Sequence, residues 1–148
     1  MSQFFQTILS NSVINAAVVA WFLAQLIKII LNLILEKKLD LRLLISSGGM
    51  PSSHSAFIVA GAYSVLEICG YNSPEFAIIL IISIVVMYDA AGVRRQAGEH
   101  AKILNSIEDL WMGKTDEIRT KALKELLGHT PYEVAAGLIL GILVGIVV

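Results

Sequence analysis

Four long apolar runs constrain what this chain can become. Val13–Leu35 is 23 residues, interrupted by Asn15, Gln25, Lys28 and Asn32. Ser55–Gly70 is 16 residues, Glu75–Val93 is 19 and Glu133–Val148 is 16. A helix needs about 20 residues to cross a hydrocarbon core about 30 Å thick. The second and fourth runs are short by that measure and must draw on flanking residues. All four exceed ordinary strand length, so they read as helices. Hydrophobic residues make up 56% of the 148, above the roughly 45–50% of soluble domains. The expected fold is all-α, a polytopic membrane helix bundle of about four transmembrane helices, with residues 1–148 as a single integral membrane domain.

The N-terminal stretch "MSQFFQTILSNS" carries no basic residue. It lacks the charged leader and small-residue cleavage site of a secretory signal, so the first run is expected to be retained. Cys69 is the one cysteine and excludes an intrachain disulfide.

The connectors differ. "GYNSP" at 70–74 is a turn, with Asn72, Ser73 and Pro74 as breakers. Residues 36–54 are polar. Residues 95–128 form an insertion in which "AKILNSIEDLWM" and "TDEIRTKALKELLG" both read as amphipathic helices. Ile103, Leu104, Ile107, Leu110 and Trp111 share one face at helical spacing. The expectation is a cytoplasmic helical hairpin on the membrane surface, with Gly128 capping its second helix.

Charge sets the orientation. Ten of the eleven Lys and Arg lie in 36–54 and 94–128, and the eleventh is Lys28. With four spans, those segments share one side, and the opposite side has no basic side chain. The positive-inside rule places the basic side in the cytoplasm and both termini outside.

Three polar clusters fall at span ends on that side. The first is Ser46, Ser47, Gly48, Gly49, Pro51, Ser52, Ser53 and His54. Glycines such as Gly49 free the backbone to approach an anion, and N–H groups at a helix start cradle phosphate. Serine caps on a Gly-rich turn explain the serines equally well, but leave His54 idle. The second is Asp89, Arg94 and Arg95 in "YDAAGVRRQ". Arginine forks suit phosphate oxygens; a pair of stop-transfer cations is the plainer reading. The third is "GHTPYEVAAG". Thr130, Pro131 and Glu133 fit a capping box. Glu133 is also four residues from His129, where a carboxylate can hold one ring nitrogen and leave the other as a nucleophile. Together the clusters put two histidines, arginines and an anion cradle on one membrane face, a set that suits phosphoryl transfer through a phosphohistidine.

On these residues the chain resembles the type 2 phosphatidic acid phosphatase family, and most closely that family's small divergent membrane branch. The family pattern is Lys-x6-Arg-Pro, then Pro-Ser-Gly-His, then Ser-Arg-x5-His-x3-Asp. "MPSSHSA" is similar to the middle motif, with Ser53 in place of its glycine. Arg94-x5-His100 keeps the third motif's spacing, but position 104 is Leu and His100 falls in an amphipathic helix, so His100 reads as a surface residue. "HTPYEVAAGLILG" is closer to the family's second half. The third motif therefore reads as split, with Arg94 before the insertion and His129 and Glu133 after it. The first motif is missing, since no Arg-Pro occurs; Lys28, Lys37, Lys38 and Arg42 are candidate substitutes.

The resemblance implies a lipid phosphate phosphatase that requires no metal or cofactor. His129 would attack phosphorus, Glu133 would orient it, and His54 would protonate the leaving oxygen. Ser52, Ser53, Gly49, Arg94 and Arg95 would bind phosphate, with Lys28, Arg42 and Asp89 in support. Membrane lipids and a lipid phosphate are the expected partners, with no nucleic acid. Phosphatidylglycerophosphate, phosphatidic acid and prenyl phosphates or diphosphates all present the required group. A non-enzymatic binding or transport protein that keeps the anion cradle is the alternative. Gly137, Gly141 and Gly145 form a small-residue ridge on the last span, open to packing within the chain or to a homodimer.

Overall fold

The computed structural model describes residues 6, 10–37, 48–112 and 128–148, with the side chains of 108–112 excepted. Its elements are α1 (Ser12–Leu35), α2 (Ser53–Cys69), α3 (Pro74–Ala91), α4 (Val93–Met112) and α5 (Pro131–Val147). Among the described residues there is no strand.

Local chemistry fixes the helix starts. Asn11, Ser52, Ser73 and Thr130 each accept a first-turn backbone N–H at the N-caps of α1, α2, α3 and α5. Pro74 and Pro131 open α3 and α5, where a missing N–H costs nothing. Gly70, at φ 80°, closes α2 in a conformation that side chains resist. The apolar runs thus begin earlier than hydropathy suggested: the caps and prolines extend α2 back to Ser53 and α5 back to Pro131.

The interior is built from small residues. Ala16, Ala20 and Ala24 of α1 meet Ala56 and Ala60 of α2 and Val144 of α5. Along α5, Gly137 lies on Ser52 and Ser55, Gly141 on Ala56 and Val59, and Gly145 on Tyr63. A Cβ at Gly141 would stand 2.8 Å from the Ala56 carbonyl oxygen. The glycine ridge is therefore filled by α2 of the same chain. The large apolar side chains point outward instead: Phe22, Ile34, Ile78, Ile81, Val85 and Ile139 are all exposed. Small residues inside and large ones outside is the pattern of helices solvated by lipid, where close backbone packing replaces the hydrophobic drive. α1 and α3 are long and apolar enough to cross a membrane, while α2 and α5 are shorter apolar helices. The chain is an all-α membrane helix bundle.

α2 sits at the centre, packed by α1, α3 and α5. α4 follows α3 after Gly92 and exposes Ile103, Leu104 and Ile107. That is the first helix expected of the insertion. Residues 115–127 of its partner "TDEIRTKALKELLG", and the Leu110 and Trp111 side chains, lie outside the described residues.

Candidate functional site

The end of α3 and the starts of α2, α4 and α5 converge at one end of the bundle, alongside Lys28 of α1. Three backbone contacts tie them. Ser52 N–H donates to the Glu133 carbonyl at 2.9 Å, and His129 N–H donates to the Ala90 carbonyl at 2.9 Å. Gly128, at φ +90°, rests on the backbone of Arg94 and Arg95, with no room for a Cβ. Arg94 and His129, 35 residues apart in sequence, are thus brought to one place.

His129 is buried, at 2% exposure. Its ring lies 6.3 Å from the His54 ring, centroid to centroid, tilted by 56°. Glu133 brings Oε2 to 3.5 Å from Nδ1, an ionic approach longer than a formed hydrogen bond. The same oxygen accepts the Thr130 N–H at 2.7 Å, while Thr130 Oγ1 accepts the Glu133 N–H at 3.4 Å. Glu133 therefore does both things the sequence allowed: it closes the capping box and it faces the histidine. Among the described residues neither His129 ring nitrogen has a hydrogen-bond partner. A buried polar group left this way calls for a ligand or a reaction. Burial pushes the His129 pKa below the ordinary histidine range, Lys28 and His54 add to that, and Glu133 opposes it. The balance favours the neutral ring.

Lys28 enters from the middle of an apolar helix and is buried, at 3% exposure. Its Nζ donates to Ser53 Oγ at 3.4 Å, and its Cδ lies 3.9 Å from where a Gly49 Cβ would stand. Among the described residues no carboxylate comes within ion-pair distance of it. A buried cation with no close counterion is costly unless an anion visits it. Its position beside the 49–53 loop is where an anion would also meet the free N–H groups at the start of α2.

The remaining residues divide. Ser52 caps α2: its Oγ accepts from Ser55 N–H at 3.3 Å and from Ser55 Oγ at 3.0 Å. Ser53 faces Lys28. Arg94 Nε donates to Asp89 Oδ2 at 2.6 Å in a half-exposed pair. Arg94, Lys28 and Asp89 all act electrostatically on the His54 ring, which is exposed at the start of α2. Arg95 is exposed beside Gly128, and Gly49 lies over Lys28 at φ 89°. His100 is exposed on α4. Arg42 lies outside the described residues. Two contributors were not expected. Ser55 locks the Ser52 cap, and the Ala90 carbonyl holds His129. The second left no mark in the sequence, because a backbone acceptor has no residue signature.

Fold and site together define a small membrane helix bundle that brings two histidines, a buried lysine and an arginine to one end. The sequence pattern of the divergent PAP2 family matches residues 9–144, and the chain belongs to that family. It is 39% identical over 151 aligned positions, covering 95% of each chain, to the uncharacterized membrane protein YuiD of Bacillus subtilis (strain 168). No solved structure matches the chain. The protein is a PAP2-like membrane protein.

Proposed function

We propose that this chain is an integral membrane phosphatase for lipid phosphates, working through a phosphohistidine. The observation that carries the reading is the buried His129, with both ring nitrogens unbonded, facing His54 at 6.3 Å beside the buried Lys28. Nε2 of neutral His129 attacks phosphorus. The bond from phosphorus to the lipid oxygen breaks, and His54 gives its proton to that oxygen. The His129 ring, now carrying the phosphoryl group, is cationic, and the Glu133 carboxylate at Nδ1 stabilises it. Lys28, Arg94 and the α2 N–H groups hold the phosphoryl oxygens. Water then attacks phosphorus, His54 takes its proton, the P–N bond breaks and phosphate leaves.

The four apolar helices cross the bilayer as a multi-pass bundle in this reading. The site faces the cytoplasm and both termini face outside, on the strength of the basic segments flanking that one end. An inward-facing site favours phosphatidylglycerophosphate or phosphatidic acid over outward-presented prenyl diphosphates.

A second reading draws on the Asp89–Arg94 pair: at 2.6 Å the carboxylate already engages the guanidinium, which weakens its hold on a transferring phosphoryl group and suits a membrane protein that binds an anion at Lys28 without turnover. Purified protein given short-chain lipid phosphates separates the two. Release of inorganic phosphate, lost in His129→Ala, supports the phosphatase. Saturable phosphate binding by a folded protein that releases none supports the binder.

A further inference from the structure

The end of the bundle away from the two histidines holds a cavity that the proposed reaction does not use. Its volume is about 440 Å³, in the range that takes small organic ligands. α2 joins the two ends: His54 stands at its start and Glu67 lies 13 residues later, about 20 Å along the axis. The polar lining is Ser12 of α1 with Tyr63, Ser64 and Glu67 of α2. Ile68 and Ile146 supply apolar wall. The Tyr63 hydroxyl donates to the Glu67 carboxylate one turn on. The tyrosine is itself fixed, since a Cβ at Gly145 of α5 would stand 2.6 Å from the Tyr63 Cβ. Among the described residues Glu67 forms no ion pair. Residues 1–27, 55–93 and 125–148 contain no lysine or arginine. A carboxylate accepts about four hydrogen bonds, so Glu67 keeps acceptor capacity after Tyr63 and meets no cation from these helices.

We propose that this cavity binds a primary ammonium group, with Glu67 as its counter-ion. The proposal is independent of the phosphatase reading. A metal ion suits the set poorly, because hard cations gather several carboxylates and this lining offers one. Among the described residues no three His, Cys, Asp or Glu side chains group to hold a metal. An ammonium group matches it: its three N–H donors meet the carboxylate and the serine oxygens, and the tyrosine ring presents a face that attracts cations. Glu67 is exposed near the end of a membrane helix. The ammonium can therefore come from an aminophospholipid headgroup or from a free amine.

Two measurements test this. Native mass spectrometry of the detergent-purified protein counts bound short-chain phosphatidylethanolamine, with phosphatidylglycerol of the same chains as control, and thermal unfolding is followed with added ethanolamine. Wild type should prefer phosphatidylethanolamine. Glu67→Gln keeps the shape and should weaken that binding about tenfold, the loss of one charge-assisted hydrogen bond, with phosphatidylglycerol unchanged. Stabilisation by ethanolamine without a lipid preference, lost in Glu67→Gln, supports a free amine as the source. Equal binding of both lipids with no response to ethanolamine overturns the site, as does ammonium binding that survives Glu67→Gln. The second measurement needs no variant. A carbodiimide joins a carboxylate to an amine held against it, so wild-type protein is treated with ethanolamine and carbodiimide and the amides are located by peptide mass spectrometry. Glu75, exposed at the same end of the bundle, is the internal control. Coupling at Glu67 at amine concentrations about tenfold below those needed at Glu75 supports the site, and equal coupling at the two overturns it.

Discussion

The His129 N–H donates to the carbonyl oxygen of Ala90 across 2.9 Å, joining the first residue after the insertion to the end of the helix before it. The chain departs at Val93, and by Gly128 it has returned to lie on Arg94 and Arg95. An interruption placed there does not separate the arginine from the histidine in space. Only glycine fits at position 128, because its backbone presses on another backbone with φ at +90°.

That closure predicts which histidine matters. His129→Ala should abolish phosphate release, while His100→Ala, exposed on α4, should keep most of it. Both variants are purified in detergent, checked for a monodisperse profile and assayed on a short-chain lipid phosphate. An inactive His100→Ala beside an active His129→Ala would show that the unsplit spacing Arg94-x5-His100 is the working motif.

Lys28 should act on turnover as well as on the fold. Its ammonium is buried against Ser53 Oγ, and no carboxylate of the described residues lies at ion-pair distance. Lys28→Met keeps the length and removes the charge. If the charge stabilises phosphoryl oxygens, kcat should fall by about 10²–10³, the usual loss for one such donor. Lys28→Met should also raise membrane stability or leave it unchanged, since a buried charge is removed. Full activity in Lys28→Met would reduce Lys28 to a helix anchor.

Much of this was legible in sequence, and the boundary is instructive. The helices announce themselves because apolar runs and caps such as Ser52, Ser73 and Thr130 are local signals. His54, His129 and Glu133 were legible because each stands beside a proline or serine at a helix start. Lys28 was harder to place. A lysine inside an apolar helix has a definite face only once the partner helix is known, and Ser53 lies 25 residues on. The choice between a chain-internal and an intermolecular glycine ridge was undecidable from spacing alone, because both use the same small-residue period. The contact of Gly141 with Ala56 and Val59 decides where the ridge packs.

Glu133 offers a test that separates its cap from its charge. Glu133→Gln keeps an oxygen for the Thr130 N–H, so stability should change by less than about 1 kcal/mol. Turnover should fall, because the neutral amide no longer stabilises a cationic phosphohistidine. The pH profile carries a sign. Neutral His129 is the nucleophile, and burial holds its pKa below the ordinary histidine range. Activity should therefore persist on the acid side below that range. Glu133 pulls that pKa upward, so Glu133→Gln should move the acid limb to still lower pH. Stability follows the linked rule. Between the lowered folded pKa and the ordinary unfolded value, the unfolded chain binds more protons, so stability falls as pH drops through that window. His129→Gln should remove that slope. An acid limb that stays put in Glu133→Gln would leave the residue as a cap alone.

The orientation of the site decides which lipids can reach it. Cys69 ends α2 at the end of the bundle opposite His54 and is exposed. Ser106 is exposed on α4, beyond the site end of α3. With the basic segments inside, a membrane-impermeant thiol reagent should label Cys69 on intact cells. A Ser106→Cys, Cys69→Ser variant should label only after permeabilisation. The two positions control for each other, since they lie at opposite ends of one helix bundle. Labelling of Ser106→Cys from outside, with native Cys69 protected, would invert the topology. It would also turn the two histidines to the outer leaflet, where prenyl diphosphates rather than newly made phospholipid phosphates present their headgroups.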